Sequence, residues 1–285
     1  MADELRKIIG ATGTEKRRPD GSIYQSLSFA NQQELSKQCS VNDKEVQIAA
    51  LEQGIVPEVY ARNQKSLSNQ DQIKLLQSHV AVVGLGGLGG TVTEILARIG
   101  IGSLTLIDGD CFDDSNLNRQ LLSSTEVLGK KKANVAAKRV KSINPAVVAR
   151  AVTSFLSLKN ATELLSDTNI GVDCLDTISG RFILEQGCRD LQIPMVSAAI
   201  GGTSGQITVI YPEDQGLSKI YGDPTKAADK GIEKTLGTLP FAAITLAAME
   251  CAEVVTMAIG NPAALRNRLL ITDLSDHSLD VVDLG

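Results

Sequence analysis

The residues able to do chemistry lie mostly between Gly84 and Thr177. Gly84-Leu85-Gly86-Gly87-Leu88-Gly89 fits the spacing G-x-G-x-x-G. Glycines at those places allow a tight turn and let backbone N–H groups close on a phosphate. Asp108 stands nineteen residues beyond Gly89 and Asp110 two further on. A carboxylate at the first of these places can accept hydrogen bonds from a ribose. Asn116, Arg119 and Gln120 follow, then Lys132 at the end of Gly129-Lys130-Lys131-Lys132, then Asp176 and Thr177, with Arg181 one helical turn later. A guanidinium and an ammonium neutralise phosphate oxygens, and a carboxylate such as Asp176 can hold Mg²⁺. A dinucleotide asks for no such pair of cations and no metal, so the set points to a triphosphate. Each residue alone has a plainer reading. The glycines can serve packing only, Lys130–Lys132 can be a solvated helix start, and Asp176 can cap a helix.

These groups belong at strand ends and helix starts, and the apolar pattern supplies both. Apolar runs of strand length cover His79–Gly84, Ser103–Asp108, Val147–Val152, Ile170–Leu175 and Met195–Ala199. Helical spacing covers Gly87–Ile99, Lys130–Ser142, Leu158–Leu165 and Ile178–Leu191. Such alternation predicts an α/β, Rossmann-like fold: a mostly parallel sheet with helices on both faces. The strand Gly205–Tyr211 alternates instead, and Leu269–Thr272 with Ser278–Val282 reads as a closing hairpin, so the C-terminal strands are expected to be antiparallel. Between them lie a polar stretch, Pro212–Pro240, and an apolar helix, Leu239–Gly260. The helix carries Glu250 and Glu253, which are costly in a bilayer, so it is expected to be buried or at an interface.

Residues 1–57 read as a helical N-terminal extension, and residues 58–285 as one nucleotide-binding domain. The first 78 residues are polar and hold no clear strand. Ser40–Gly54 reads as a helix capped by Ser40 or Asn42, and Asn69–Gln77 as a second helix leading into the domain. The chain has 285 residues and a net charge of −5, which disfavours a broad nucleic-acid surface. Its five cysteines are odd in number and form no C-x-x-C pair, which supports neither a disulfide framework nor a zinc cluster. No long apolar core of a secretory signal stands at the N-terminus, so a reducing cytoplasmic location is expected.

In order and spacing, the glycine turn, Asp108-Gly-Asp110, Ser115-Asn-Leu-Asn-Arg-Gln120, Gly129-Lys-Lys-Lys132 and Asp173-Cys-Leu-Asp-Thr177 resemble the ThiF/MoeB/HesA family, the bacterial relatives of ubiquitin-activating enzymes. The resemblance runs from Val59 to Val282 and leaves residues 1–56 uncovered. It implies an adenylyltransferase. The terminal glycine carboxylate of a small ubiquitin-like sulfur-carrier protein of ThiS or MoaD type, ending in Gly-Gly, attacks the α-phosphate of ATP, and an acyl-adenylate and pyrophosphate result. The pathway would be thiamine or molybdopterin biosynthesis or a related one. Under that resemblance Gly84, Gly86, Gly87 and Gly89 surround the phosphates and Asp108 holds the ribose, with Asp110 beside it. Asn116, Arg119, Gln120 and Lys132 contact the nucleotide, and Asp176, next to Thr177, coordinates Mg²⁺. A homodimer is implied, with Arg62 of Tyr60-Ala-Arg-Asn-Gln64 reaching the partner's ATP.

The chain also departs from the family pattern. The two C-x-x-C pairs that bind zinc in many members are missing, and Glu233 stands where some members carry a loop cysteine. A zinc-free variant follows, with sulfur transfer left to another protein. Cys174 and Cys188 read as buried apolar residues, and Cys111 as the cysteine nearest the nucleotide. Three alternatives stay open. One is a member that adenylates a small molecule or a tRNA base, as threonylcarbamoyladenosine dehydratases do. The others are an NAD-dependent dehydrogenase and a non-catalytic scaffold.

Overall fold

The computed structural model describes residues 2–226 and 233–285. The N-terminal segment is α1 (Ala2–Thr12), β1 (Thr14–Arg17), β2 (Ile23–Leu27), α2 (Phe29–Cys39), α3 (Asp43–Glu52) and β3 (Ile55–Pro57). The expectation of a strand-free extension is therefore corrected: β1, β2 and β3 form a three-stranded sheet in that order. The strands escaped notice because β1 is Thr-Glu-Lys-Arg, exposed at every position, and β3 is only three residues long. An edge strand wetted on both faces has no apolar alternation to read. Gly21, at φ +86°, lies in the turn that joins β1 to β2. The cap of α3 is Asn42, not Ser40: its side chain accepts from Glu45 N, and Glu45 answers at the Asn42 N–H.

After α4 (Asn69–Gln77) the chain alternates as the pattern implies. The order is β4 (His79–Val83), α5 (Gly87–Ile99), β5 (Ser103–Ile107), α6 (Lys132–Ile143), β6 (Val148–Val152), α7 (Ala161–Leu164), β7 (Ile170–Asp173), α8 (Ile178–Asp190) and β8 (Met195–Gly201). The chain closes with β9 (Ser204–Ile210), α9 (Ser218–Tyr221), α10 (Glu233–Leu236), α11 (Pro240–Ala258), β10 (Arg268–Asp273) and β11 (Ser278–Asp283). Eight strands make one sheet in the order β11-β10-β9-β8-β7-β4-β5-β6. The pairings from β6 through β8 are parallel, and those from β8 to β11 antiparallel. Gly231 and Ile232 of the polar stretch lie outside the described residues, as does the side chain of Glu233.

The central strands are buried on both faces, and the edge strands β6 and β11 are partly or largely exposed. Val80 and Val82 of β4 join a core with Val92 and Leu96 of α5, Ala136 and Val140 of α6 and Leu246 and Val254 of α11. Ala81 and Val83 point the other way, to Leu184 and Cys188 of α8. The apolar helix α11 packs Ala242, Ala243, Leu246 and Ala247 inward and leaves Phe241 and Ile244 exposed.

The N-terminal segment has its own small core, built on Leu5, Ile9, Leu27, Leu35 and Val46. It is tied to the domain by Tyr60, which is fully buried. The Tyr60 hydroxyl donates to Gln47 Oε1 at 3.0 Å and accepts from Asn144 Nδ2 at 2.8 Å. Gly100, in the left-handed region at φ +91°, ends α5 against the Tyr60 ring; a Cβ there would approach the hydroxyl to 2.5 Å.

Candidate active site

Strand order reverses between β4 and β7, so the connections after these strands diverge and leave a crevice at their C-terminal ends. A cleft of about 740 Å³ occupies that place. Gly84 forms its floor at φ +88°, and a Cβ there would approach the Cys174 carbonyl to 2.6 Å. A Cβ on Gly89 would run into the Gly84 carbonyl. The turn thus lies flush on the end of β7, and only glycine fits. Gly86 and Gly87 line the cleft, whereas Gly89 packs behind them. No side chain caps the start of α5, so its first amides are available to an anion.

Asp108 holds the turn in shape. One of its oxygens accepts from Leu85 N and the other from Asp110 N, both at 2.7 Å. Each keeps a further lone pair for a ribose hydroxyl. Lys132 opens α6 and is 7% exposed, with its ammonium 3.3 Å from the Asp110 carboxylate. Arg119 donates to Ser115 O at 2.7 Å and to Asn118 Oδ1 at 3.0 Å, and these bonds steady its guanidinium beside the cleft. Gln120 is buried on the same wall, and its Oε1 has no hydrogen-bond partner among the described residues. That orphan acceptor marks a place for a donor from a ligand. Asp176 is exposed just beyond β7 and also lines the cleft.

Besides Gly89, three of the anticipated residues sit outside the cleft lining. Asn116 is buried away from the cleft, where its Oδ1 accepts from Asp113 N at 3.1 Å and closes the turn that carries Arg119. Thr177 caps α8 through Gly180 N. Arg62 is exposed on a separate cavity formed with the β1–β2 turn. Sequence reasoning missed Ser154, Phe155 and Leu156, which follow β6 and line the cleft. Phe155 is 66% exposed, and a Cβ on Gly109 would meet its ring at 2.7 Å. An exposed aromatic beside the Asp108 turn offers a face to a base. Its one signal was a phenylalanine just past a strand.

A second cavity of about 310 Å³ adjoins the first and shares Asp176, Arg181, Ile200 and Leu236 with it. Gly201, Ser204 and Gly205 from the β8–β9 turn form its other wall. Between the cavities Arg181 is buried and paired with the fully buried Asp173 at 2.8 Å. It also donates to the Ala198 and Leu175 carbonyls, so it ties the ends of β7 and β8 together.

Glu250 of α11 is fully buried behind Cys174. Its Oε2 accepts from Cys174 Sγ at 3.6 Å, and its Oε1 has no partner among the described residues. Burial, with the Asp173 charge nearby, pushes its carboxyl well above the usual range. Burial likewise raises the Cys174 and Cys251 thiols, and pushes Cys188 up to about 12. These thiols stay protonated and inert, whereas Cys111 is exposed.

A raised folded-state value means that the stability tied to protonated Glu250 is complete below the ordinary carboxylate range. It is lost as pH rises through the raised value. Glu250→Gln removes that loss. Thermal unfolding is expected to show the variant a few degrees more stable than the parent at pH 8 and equal to it near pH 4. Parallel pH profiles for the two proteins would contradict this assignment.

Asp176 lines the cleft, as do Asp108 and Asp110, and no group of three or more His, Cys, Asp or Glu that could hold a metal ion gathers among the described residues. Mg²⁺ fits such a site, because it binds through one or two carboxylates, substrate phosphates and water.

A family model described as the ThiF family matches residues 60–284. The SAMP-activating enzyme E1 of Haloferax volcanii is 32% identical over 216 residues, which is 75% of this chain and 79% of that protein. The adenylyltransferase and sulfurtransferase MOCS3 of Drosophila ananassae is 34% identical over 211 residues, which is 72% of this chain but 46% of that protein. The chain thus spans most of the archaeal relative and about half the length of the fly one. Among solved structures, E. coli MccB superposes with a TM-score of 0.69 at 22% identity, over 80% of this chain and 70% of that one, a likeness of fold.

Proposed function

The chain belongs to the ThiF family and carries an adenylyltransferase domain of it, and we propose that it activates the C-terminal glycine of a small ubiquitin-like sulfur-carrier protein. ATP supplies the adenylyl group, and the products are the acyl-adenylate and pyrophosphate. The observation that carries this reading is the pair of joined cavities. One has the glycine turn, Asp108, Arg119 and Lys132 of a nucleotide site. The other is smaller, has Gly201, Ser204 and Gly205 in its wall, and meets the first at Asp176, Arg181, Ile200 and Leu236. An extended Gly-Gly tail, which has no side chains, suits such a slot.

The attacking carboxylate is already a nucleophile, so the reaction needs no general base. The chain's task is positioning and charge neutralisation. Lys132 and Arg119 oppose the charge that grows on the phosphate oxygens as pyrophosphate leaves. The first amides of α5 add to this without a side chain. Asp108 holds the ribose end while it keeps the turn in shape. When bound, Mg²⁺ held by Asp176 and the phosphates supplies further neutralisation. The acyl-adenylate forms between the two cavities.

Arg62 lies away from its own chain's cleft, so the reading also includes a homodimer in which it reaches the partner's nucleotide. The exposed Phe241 and Ile244 of α11 offer apolar surface for pairing.

Exchange of labelled pyrophosphate into ATP tests the reaction. Exchange is expected when a carrier ending in Gly-Gly is added, and not without one. NAD binding with no exchange for any carrier would sink the reading. If Arg62 acts on the partner, mixing an Arg62→Ala chain with an Asp176→Ala chain restores exchange that neither has alone.

A further inference from the structure

The mechanism leaves Glu250 unused, yet it lies fully buried behind Cys174, which lines the nucleotide cleft. Packing alone does not ask for a carboxyl there. Its Oε1 has no partner among the described residues, and a buried polar atom left unmet is costly. A leucine would carry no such cost.

What Glu250 holds is Cys174, whose thiol donates to Glu250 Oε2 at 3.6 Å. The rest of Cys174 meets the glycine turn at three points. Its N–H donates at 2.9 Å to the carbonyl of Val83, the residue before Gly84. Its carbonyl lies under Gly84, 2.6 Å from where a Cβ would stand, and its Cβ lies 3.1 Å from the corresponding place on Gly89. Contacts this close leave no slack, so a displaced Cys174 displaces the turn. The same helix also grips the turn from its other side. Ala243, seven residues before Glu250 and so on the same face of α11, lies where a Cβ on Gly87 would meet it at 3.3 Å. The Cys251 thiol donates to Val92 O of α5 at 3.8 Å.

We propose that Glu250 is a positioning residue for the nucleotide: through Cys174 it fixes the floor on which the glycine turn rests. Buried behind Cys174, it acts on the nucleotide only through that residue. This role rests on a nucleotide in the cleft, as read above, and on no carrier.

The groups that face Glu250 decide when it holds. Asp173 and Cys174 face it from the end of β7, Arg181 from α8, and Cys251 from α11 itself. Arg181 is committed to Asp173 and to two carbonyls. Burial, with the Asp173 charge, therefore keeps the Glu250 carboxyl neutral. A neutral carboxyl accepts the thiol without adding charge. An ionised one sets a second anion beside buried Asp173 and pushes on the strand end that carries Cys174. The hold is complete through the ordinary carboxylate range and is lost as pH rises through the raised value.

Calorimetric titration of the full chain with ATP and Mg²⁺, without carrier, reads this role apart from exchange. Between about pH 6 and about pH 9.5 the dissociation constant of the parent is expected to rise by roughly three- to tenfold relative to Glu250→Gln, whose amide cannot ionise. The ratio of the two cancels the titration of ATP itself and of Lys132. Cys174→Ala cuts the link. It is expected to bind ATP more weakly than the parent near pH 6, with the same pH profile whether or not Glu250→Gln is added. A purely structural Glu250 would move the thermal midpoint and leave the ratio at one. A ratio of one across the range, or a Glu250-dependent pH effect that survives Cys174→Ala, overturns the proposal. If Cys174→Ala fails to fold, the ratio alone decides. No ATP binding by the parent at any pH would overturn the nucleotide reading and this role together. The expected ratio without pyrophosphate exchange would fell adenylation alone and uphold the role.

Discussion

Replacing Arg119 or Asp176 by alanine is expected to lower carrier-dependent pyrophosphate exchange by ~10²–10³-fold each, the usual cost of removing one group aimed at developing charge. The fold should not notice. Among the described residues the Arg119 side chain bonds only to Ser115 O and Asn118 Oδ1 in its own turn, and Asp176 is exposed. Thermal midpoints within a degree or two of the parent are therefore part of the prediction. Lys132→Ala belongs with them, because its ion-pair partner Asp110 is exposed and loses little when left in water. The measurement is exchange against ATP concentration for each variant. A fall in the maximal rate marks groups that act on the transition state, and a rise in KM alone marks uniform binding. Near-parental rates in both Arg119→Ala and Asp176→Ala would refute these roles.

Arg181→Leu is expected to do the opposite, damaging the fold first. It leaves Asp173 fully buried with Ser197 and Leu175 N as hydrogen-bond donors but no cation. Removing one member of a buried pair costs about 3–5 kcal/mol, which for a chain of this size lowers the thermal midpoint by roughly 10 °C. The loss of the ties to Ala198 O and Leu175 O adds to it. Adding Asp173→Asn to Arg181→Leu should recover part of the loss, since the stranded charge is then gone. Denaturant unfolding of the single and double variants measures both values. A single variant that loses less than about 1 kcal/mol would show that the pair is not the tie described here.

The parallel half of the sheet was legible because most of its strands are apolar runs. Both faces of β4 are buried, so His79–Val83 needs no alternation to announce itself. The glycine turn was legible because steric contact forces its composition: Gly84 and Gly89 lie where any Cβ collides. Asp108, Lys132, Arg119 and Asp176 were legible as a spaced set, and they do share one cleft.

What failed to show has physical reasons. The small N-terminal sheet carries no apolar alternation on β1. Asn116 and Thr177 stand inside the motif yet serve as caps, and residue type alone does not tell a capping oxygen from a ligand-binding one. Phe155 is assembled into the site by the return of β6 to the edge of the sheet, which no local spacing encodes. Glu250 comes from α11, far along the chain, and its neutral state is a product of burial.

The buried hydroxyl of Tyr60 carries a further consequence. Gln47 on one side of it and Asn144 on the other are satisfied through the same atom. Leu51, before the sequence boundary at residue 57, shares one apolar cluster with Tyr60, Ile73 and Leu76 after it. The segment is therefore not a cassette that recombination could trade between relatives. A swap at that boundary would have to carry matching partners for the ring, the two amides and the close approach at Gly100. Substitutions at Gln47, Tyr60 or Asn144 are therefore felt on both sides of that boundary.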